Sequence, residues 1–253
     1  MRVSGVNSIT EIYKQLSTLR KVNSAADNPA GIAISEKLIS SSNGYDVGNN
    51  NAGTSKDLLS TAEGGLSKIQ DSLQRMRELS VQASNGIYSL DDKQAIQDEI
   101  DALKSTIQDA AKGTEFNTIK LLDGSKADLN LALNPSGSGM TIQLANTTLD
   151  TLGIADYDVT GDFDITAIDN ALSKVSESRS DIGSTQNVLE HKINYNSLAS
   201  INLQQANGRI VDLDVGRAVS EKQKEELLNE YRLFNMKENI RNNNTTVNRL
   251  LGF

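Results

Sequence analysis

Residues 58–83, LLSTAEGGLSKIQDSLQRMRELSVQA, decide the fold. Leu66, Ile69, Leu73, Met76 and Ala83 recur there at gaps of three and four, with Ser80 in the one missed place. On an α-helix that spacing makes a single narrow stripe, the a/d seam of a coiled coil. Lys68, Asp71, Arg75, Arg77 and Glu78 lie off the stripe, as a solvated flank does. Nothing in the stretch pairs a nucleophile with a base. The stripe calls for a partner helix.

Candidates lie on both sides. Downstream, the seam breaks near Asn85-Gly86, and Ser89 or Asp91 can cap a following helix. Ile96, Ile100, Leu103, Ile107 and Ala110 repeat the rhythm there until Lys112-Gly113, a glycine stop. The short break makes these two helices an antiparallel pair. Further on, Ile168, Val175, Ile182, Leu189, Asn196, Leu203 and Ile210 recur every seven residues, all apolar except Asn196. That run predicts one helix over 165–212, roughly 70 Å long. Its companion positions are weaker: Leu172 and Ile193 are apolar, but Arg179, Gln186, Ser200 and Asn207 are not.

Upstream, Val6, Ile9, Ile12 or Tyr13, Leu16 and Leu19 give a short helical pattern, and Asp27-Asn28-Pro29 marks a turn that starts a helix at Pro29 or Ala30. Residues 40–54, rich in Ser, Asn and Gly, weaken that helix without forbidding it. Between 119 and 154 the period changes to two. Leu129, Leu131 and Leu133 alternate with polar residues or Ala, as do Met140, Ile142 and Leu144, across the loop NPSGSG. This predicts a β-hairpin, the only β-structure expected, packed against the helices. After Asp214 the sequence is charged, with Leu227, Leu228, Tyr231 and Phe234 apolar and an interruption expected at Asn242-Asn243-Asn244. The two terminal segments pair with each other or with copies of themselves.

Composition agrees with a layered helical rod. Among 253 residues 37% are apolar and 4% aromatic, with no Trp and two Pro, too little for a thick globular core. A formal charge of −8 argues against nucleic acid or an anionic membrane as partner. No apolar run approaches the ~20 residues of a bilayer span, and the start MRVSGVNSITEIY lacks the apolar stretch of a signal peptide. With no Cys there are no disulfides, thiolate metal sites or thiol catalysis.

No active site is legible. His191, the only histidine, lies two residues past Leu189 and is expected in solvent. Asp156, Asp158, Thr160, Gly161 and Asp162 resemble the opening of a calcium loop, but Ala167 stands where a closing Glu is needed, so an acidic turn before a helix is the expected reading. Gly137 and Gly139 belong to a hairpin loop and make no phosphate cradle. Asn146-Thr147-Thr148 and Asn244-Thr245-Thr246 match the glycosylation sequon and carry little weight alone. Catalytic residues, metals and cofactors are expected to be absent.

Four segments together, KVNSAADNPAGIAISEKL, the long seam through QASNG, KGTEFNTIKLLDGS and DIGSTQNVLEHKIN, closely resemble the flagellins, subunits of the bacterial flagellar filament. The resemblance implies a mainly α fold: an elongated antiparallel helical bundle with a small β-hairpin. It implies a rod domain over 23–212 and terminal helices, 1–22 with 213–253, forming an inner-tube polymerisation region. It also implies a protein secreted unfolded through a type III apparatus with an export chaperone. Outside the cell this protein polymerises with itself between hook-associated and cap proteins. Seam residues Leu66, Ile69, Leu73, Met76, Ile168, Val175, Ile182, Leu189, Leu203 and Ile210 would then pack subunits. Recognition by the innate immune receptor TLR5 is implied as well, at Arg75, Leu79 and Glu99. Leu79 lies off the seam; it either docks a receptor or a neighbouring subunit, or packs against a third helix of its own bundle. The family's variable outer domains have no counterpart here.

Two features depart from the family. The N-terminal helix is expected to be shorter than the family's, and the C-terminal one carries Glu221, Lys222, Lys224, Glu225 and Glu226 where the family's is largely uncharged. A hook–filament junction protein or minor flagellin paralogue is the alternative. A secreted helical enzyme or effector would need a pocket that the sequence does not offer.

Overall fold

The computed structural model describes residues 4–251. These form helices α1 (Ser4–Thr18), α2 (Pro29–Ala83) and α3 (Leu90–Gly113), strands β1 (Glu115–Phe116), β2 (Ile119–Lys120), β3 (Asp128–Ala132) and β4 (Gly139–Gln143), and helices α4 (Leu149–Leu152), α5 (Thr166–Val211) and α6 (Val215–Leu251). Two compact units result: one is Ser42–Ser200, and the other comprises the residues up to Ser41 and from Ile201 onward.

The 55 residues of α2 run unbroken, roughly 80 Å at the helical rise. It starts where the sequence says: Asn28 Oδ1 accepts the Gly31 N–H at 2.9 Å, and Pro29 occupies the first turn, where a missing N–H costs nothing. Asp27 accepts from the Asn23 and Ser24 N–H groups just before it.

Unit 42–200 is a three-helix bundle. Its core joins Leu59, Leu66, Ile69, Leu73 and Met76 of α2 to Ile100 and Ile107 of α3 and to Ile168, Val175 and Leu189 of α5. Polar contacts give the directions. Arg77 bonds Asp169, Glu63 bonds Arg179, Ser60 bonds Gln186 and Lys56 pairs with Glu190, so α5 ascends as α2 descends and the two are antiparallel. Ser80, the gap in the α2 stripe, is buried and donates to the Met76 carbonyl.

The α3 start is set by Ser89, not Asp91. The Ser89 hydroxyl accepts the Asp92 N–H, and the Asp92 carboxylate accepts the Ser89 N–H, a reciprocal capping box. Its end differs from expectation. Gly113 is the last helical residue without a left-handed φ, and the cap is Thr114 in extended conformation, its N–H and hydroxyl both donating to Ala110 O.

Among the described residues, two antiparallel strand pairs form where one was expected. The expected hairpin is β3–β4, with Leu129 opposite Ile142 and Leu131 opposite Met140. Leu133 lies just beyond β3, its N–H donating to Ser138 O across the loop. The other pair, β1–β2, sits in TEFNTIK, with Asn117 and Thr118 at φ of 48° and 65°. That is the mirror-image turn of tight hairpins. Asn adopts it readily, whereas β-branched Thr does not, which hid the turn from the sequence.

In α6, Asn242–Asn244 do not interrupt the helix, contrary to expectation. The Thr245 and Thr246 hydroxyls bond back to the Arg241 and Asn242 carbonyls, one turn earlier, and the helix runs on.

Five carboxylates at turns and a helix start, Asp27, Asp92, Asp123, Asp158 and Asp164, are held below the usual aspartate range. For Asp92 the cause is the Ser89 hydroxyl, then the Ser89 N–H; Asp158 and Asp164 lean on Thr160 and Thr166 in the same way. A carboxylate whose folded pKa lies below its unfolded value stabilises the fold above the unfolded pKa, about 3.9. The contribution is lost as pH falls through the folded value. The melting temperature should therefore fall on acidification below about pH 4. The decline should be shallower in Asp92→Asn/Asp158→Asn/Asp164→Asn, and an equally steep decline would show that these caps do not couple to folding.

Candidate functional site

Both terminal helices expose apolar side chains, Tyr13 on α1 and Leu227, Tyr231 and Phe234 on α6 among them. α1 packs against α6. The segment after α1 is tied to the end of α5 and the turn into α6 by the Lys21 N–H donating to Val211 O, the Leu213 N–H donating to Leu19 O, and Lys21 Nζ donating to Arg209 O. Further along, the Tyr13 hydroxyl donates to Glu226 at 2.9 Å, and Lys222 Nζ sits 4.7 Å from the centre of the Tyr13 ring. Tyr13, then Glu226, raises the Lys222 pKa. Two of the charges that set this helix apart thus hold α1.

Beyond that clamp α6 carries two apolar stripes. Leu233, Met236, Ile240 and Val247 continue at helical spacing from Glu226, the face that meets α1. Leu227, Tyr231 and Phe234 lie on the opposite side. All seven are exposed, Leu227 by 67%.

The ten seam residues divide by depth. Leu66, Ile69, Leu73, Met76, Ile168, Val175 and Leu189 are fully buried, Ile182 nearly so, and Leu203 and Ile210 are half-buried. The first eight pack inside their own subunit.

The three receptor candidates also separate. Arg75 Nε donates to Glu99 Oε1 at 2.8 Å and an Arg75 terminal nitrogen to Glu78 at 3.1 Å, an exposed bridge from α2 to α3. Glu99, then Glu78, raises the Arg75 pKa. Leu79 is 2% exposed and belongs to the core, so the third-helix reading describes its place in the subunit.

The polar companion positions of α5, which sequence reasoning left unassigned, meet polar partners on α2. Arg179 donates to Glu63 and Gln70, Gln186 to Ser60, the Ser200 and Ser42 hydroxyls share a hydrogen bond of 2.9 Å, and Asn207 accepts from Ser35. Glu63, first, raises the Arg179 pKa against the cost of its partial burial. Buried Asn196 donates to Leu133 O at 2.8 Å, and Asn51 to Ala132 O, so the hairpin end is held to both helices.

No cluster of three or more metal-ligating side chains occurs among the described residues. In the acidic turn, Asp158 and Asp164 are each occupied by a threonine two residues on. His191 is exposed. No described helix is long and apolar enough to cross a membrane.

Residues 3–127 match the family described as the bacterial flagellin N-terminal helical region, and residues 165–242 the bacterial flagellin C-terminal helical region. A flagellin of Halalkalibacterium halodurans is 38% identical over 233 residues, covering 89% of this protein and 85% of that relative. One from Bacillus subtilis is 35% identical over 269 residues, covering 90% and 88%. The crystal structure of Bacillus cereus flagellin matches 58% of this protein and 88% of its own length, at 29% identity and a TM-score of 0.52. A putative flagellar hook-associated protein from Vibrio parahaemolyticus reaches 0.62 over 74% of this protein and all of its own length; at 18% identity this is a likeness of fold alone.

Proposed function

This chain belongs to the bacterial flagellin family and is a structural, non-enzymatic subunit of the extracellular flagellar filament, and from that premise we propose how it assembles. Terminal segments 1–22 and 213–253 form the inner polymerisation region, and 23–212 forms the outer rod domain. The carrying observation is α6, with one apolar stripe continuing its α1-facing side and another opposite, both open in the single subunit. Burying such stripes contributes about 25 cal/mol per Å² of apolar surface, enough to drive association of helices that are marginal alone. Neighbouring copies supply the cover. The subunit reaches that state by export through a type III apparatus with a chaperone, adding beneath a cap and above hook-associated proteins.

Seeded polymerisation of purified monomer, read by electron microscopy and sedimentation, tests this beside a variant lacking 1–20 and 215–253. Filaments from the intact protein alone are expected. Equal polymerisation of the truncated variant would remove the terminal helices from the mechanism. An intact protein that stays monomeric with good seeds would favour the hook–filament junction alternative.

For TLR5 the supporting feature is the exposed Arg75–Glu99 bridge, which presents a cation and an anion together on the α2–α3 face. We assign receptor contact to this pair, with Leu79 supporting it from beneath. Arg75→Ala and Glu99→Ala should lower receptor signalling while moving the melting temperature little, because exposed ion pairs contribute about 0–1 kcal/mol. Full signalling by both variants would end this assignment.

A further inference from the structure

The sequence holds three Asn-Gly pairs, Asn43-Gly44, Asn85-Gly86 and Asn207-Gly208, and the fold treats them differently. We propose that Asn85 is a site of spontaneous backbone-assisted deamidation, and that the other two are protected by their helices. The reaction is internal. The Gly86 backbone nitrogen attacks Cγ of Asn85, forming a new C–N bond and giving up its proton. The bond from Cγ to Nδ2 breaks, ammonia leaves, and a five-membered succinimide remains. Water then opens either carbonyl, giving aspartate or the β-linked isoaspartate.

Three features equip Asn85 for this. It lies two residues beyond α2, exposed, where no helical ladder fixes its ψ. Gly86 leaves the attacking nitrogen uncovered, and a Cβ there would meet nothing within 4 Å, so the approach is open. The Ile87 N–H donates to Asn85 Oδ1 at 3.3 Å, on the oxygen where negative charge develops during attack. The Tyr88 N–H on Asn85 O, also 3.3 Å, closes the turn around these atoms.

The other pairs lack this freedom. Asn43 lies inside α2 and Asn207 inside α5. Helical ψ near −42° turns the following nitrogen away from Cγ, and that nitrogen's N–H serves the carbonyl one turn earlier. Asn207 is also fixed by the Ser35 hydroxyl donating to its Oδ1 at 2.6 Å. Cyclisation at either site requires local opening first. An opening cost of about 1.4 kcal/mol already slows it about tenfold.

Either product places a new carboxylate beside the last carbonyls of α2, where the helix dipole disfavours it. Isoaspartate also adds a backbone methylene between α2 and the Ser89 capping box.

The test incubates the full-length protein, folded and in denaturant, at mildly alkaline pH. Peptides are then separated by chromatography that resolves asparagine, aspartate and isoaspartate, with mass spectrometry for the exchange of NH2 for OH. In the folded protein Asn85 should convert at least about tenfold faster than Asn43 or Asn207, and in denaturant the three rates should converge. Gly86→Ala should slow Asn85 several-fold with an unchanged melting temperature. The proposal is overturned if Asn85 reacts no faster than the helical pair in the folded protein, or if Gly86→Ala leaves its rate unchanged.

Discussion

Gly48→Ala should lower the melting temperature by roughly 5–15 °C, whereas Gly53→Ala, five residues along the same helix, should raise it slightly. A Cβ on Gly48 would stand 2.5 Å from Leu133 O and 2.9 Å from Leu133 C, both backbone atoms. Backbone atoms do not rotate aside as the end of a side group does, so the hairpin end must lift from α2. Lifting strains the bond that buried Asn196 donates to the same carbonyl at 2.8 Å. Overpacking costs about 1–3 kcal/mol and a buried group left unpaired about 1–3 more. Alanine's helical advantage of about 1 kcal/mol offsets part of this, leaving about 1–5, with about 3 in the middle of the range. At Gly53 nothing lies within 4 Å of the added carbon, so the helical advantage acts alone. Thermal melts of both variants by circular dichroism decide the matter. A Gly48→Ala protein melting like Gly53→Ala would mean that the hairpin end does not rest on α2.

The same pair shows what was legible in the sequence. The seams were, because apolar residues at gaps of three and four have few other uses in a protein this poor in aromatics. The bounds of α5 and the start of α2 were legible as well, since period and caps agree there. The Ser-, Asn- and Gly-rich stretch 40–54 was misleading. Propensity counts its residues as weak helix formers, yet tertiary contacts use them: Gly44 and Gly48 admit the hairpin loop closely, and Asn49 and Asn51 bond Ser197 and Ala132 O. A signal existed. Glycines four apart share a helix face, so a glycine-lined face can announce a close neighbour. The polar heptad companions of α5 were legible only in part. Arg179, Gln186, Ser200 and Asn207 read as gaps in a seam until their partners on α2 stand opposite. Pairing across some 110–170 residues leaves no trace in a local window. The β1–β2 turn failed for another reason, Thr118 in a conformation that β-branched residues avoid.

Leu79→Ala should destabilise the protein by about 2–5 kcal/mol, and any loss of receptor signalling should follow the loss of fold. Off-seam position alone predicts the opposite, an exposed contact whose removal spares stability. The seam defined by Leu66, Ile69, Leu73 and Met76 is too narrow a description of α2, which is flanked by both α3 and α5 and buries a wider arc. Leu79 falls within that arc at 2% exposure, beside the turn at which Arg75 reaches Glu99. Deleting its three outer carbons removes buried apolar surface and leaves a cavity that the rigid helices close only partly. Leu79→Met keeps the volume and should cost less than about 1.5 kcal/mol. Denaturant titration gives the stabilities, and signalling is compared at a temperature where all variants are folded. Under those conditions Leu79→Met should signal as the parent does, and Leu79→Ala should fall only as far as the Arg75–Glu99 bridge is displaced. If Leu79→Ala melts with the parent yet loses signalling, the side chain acts at the surface and its place in the core is wrong.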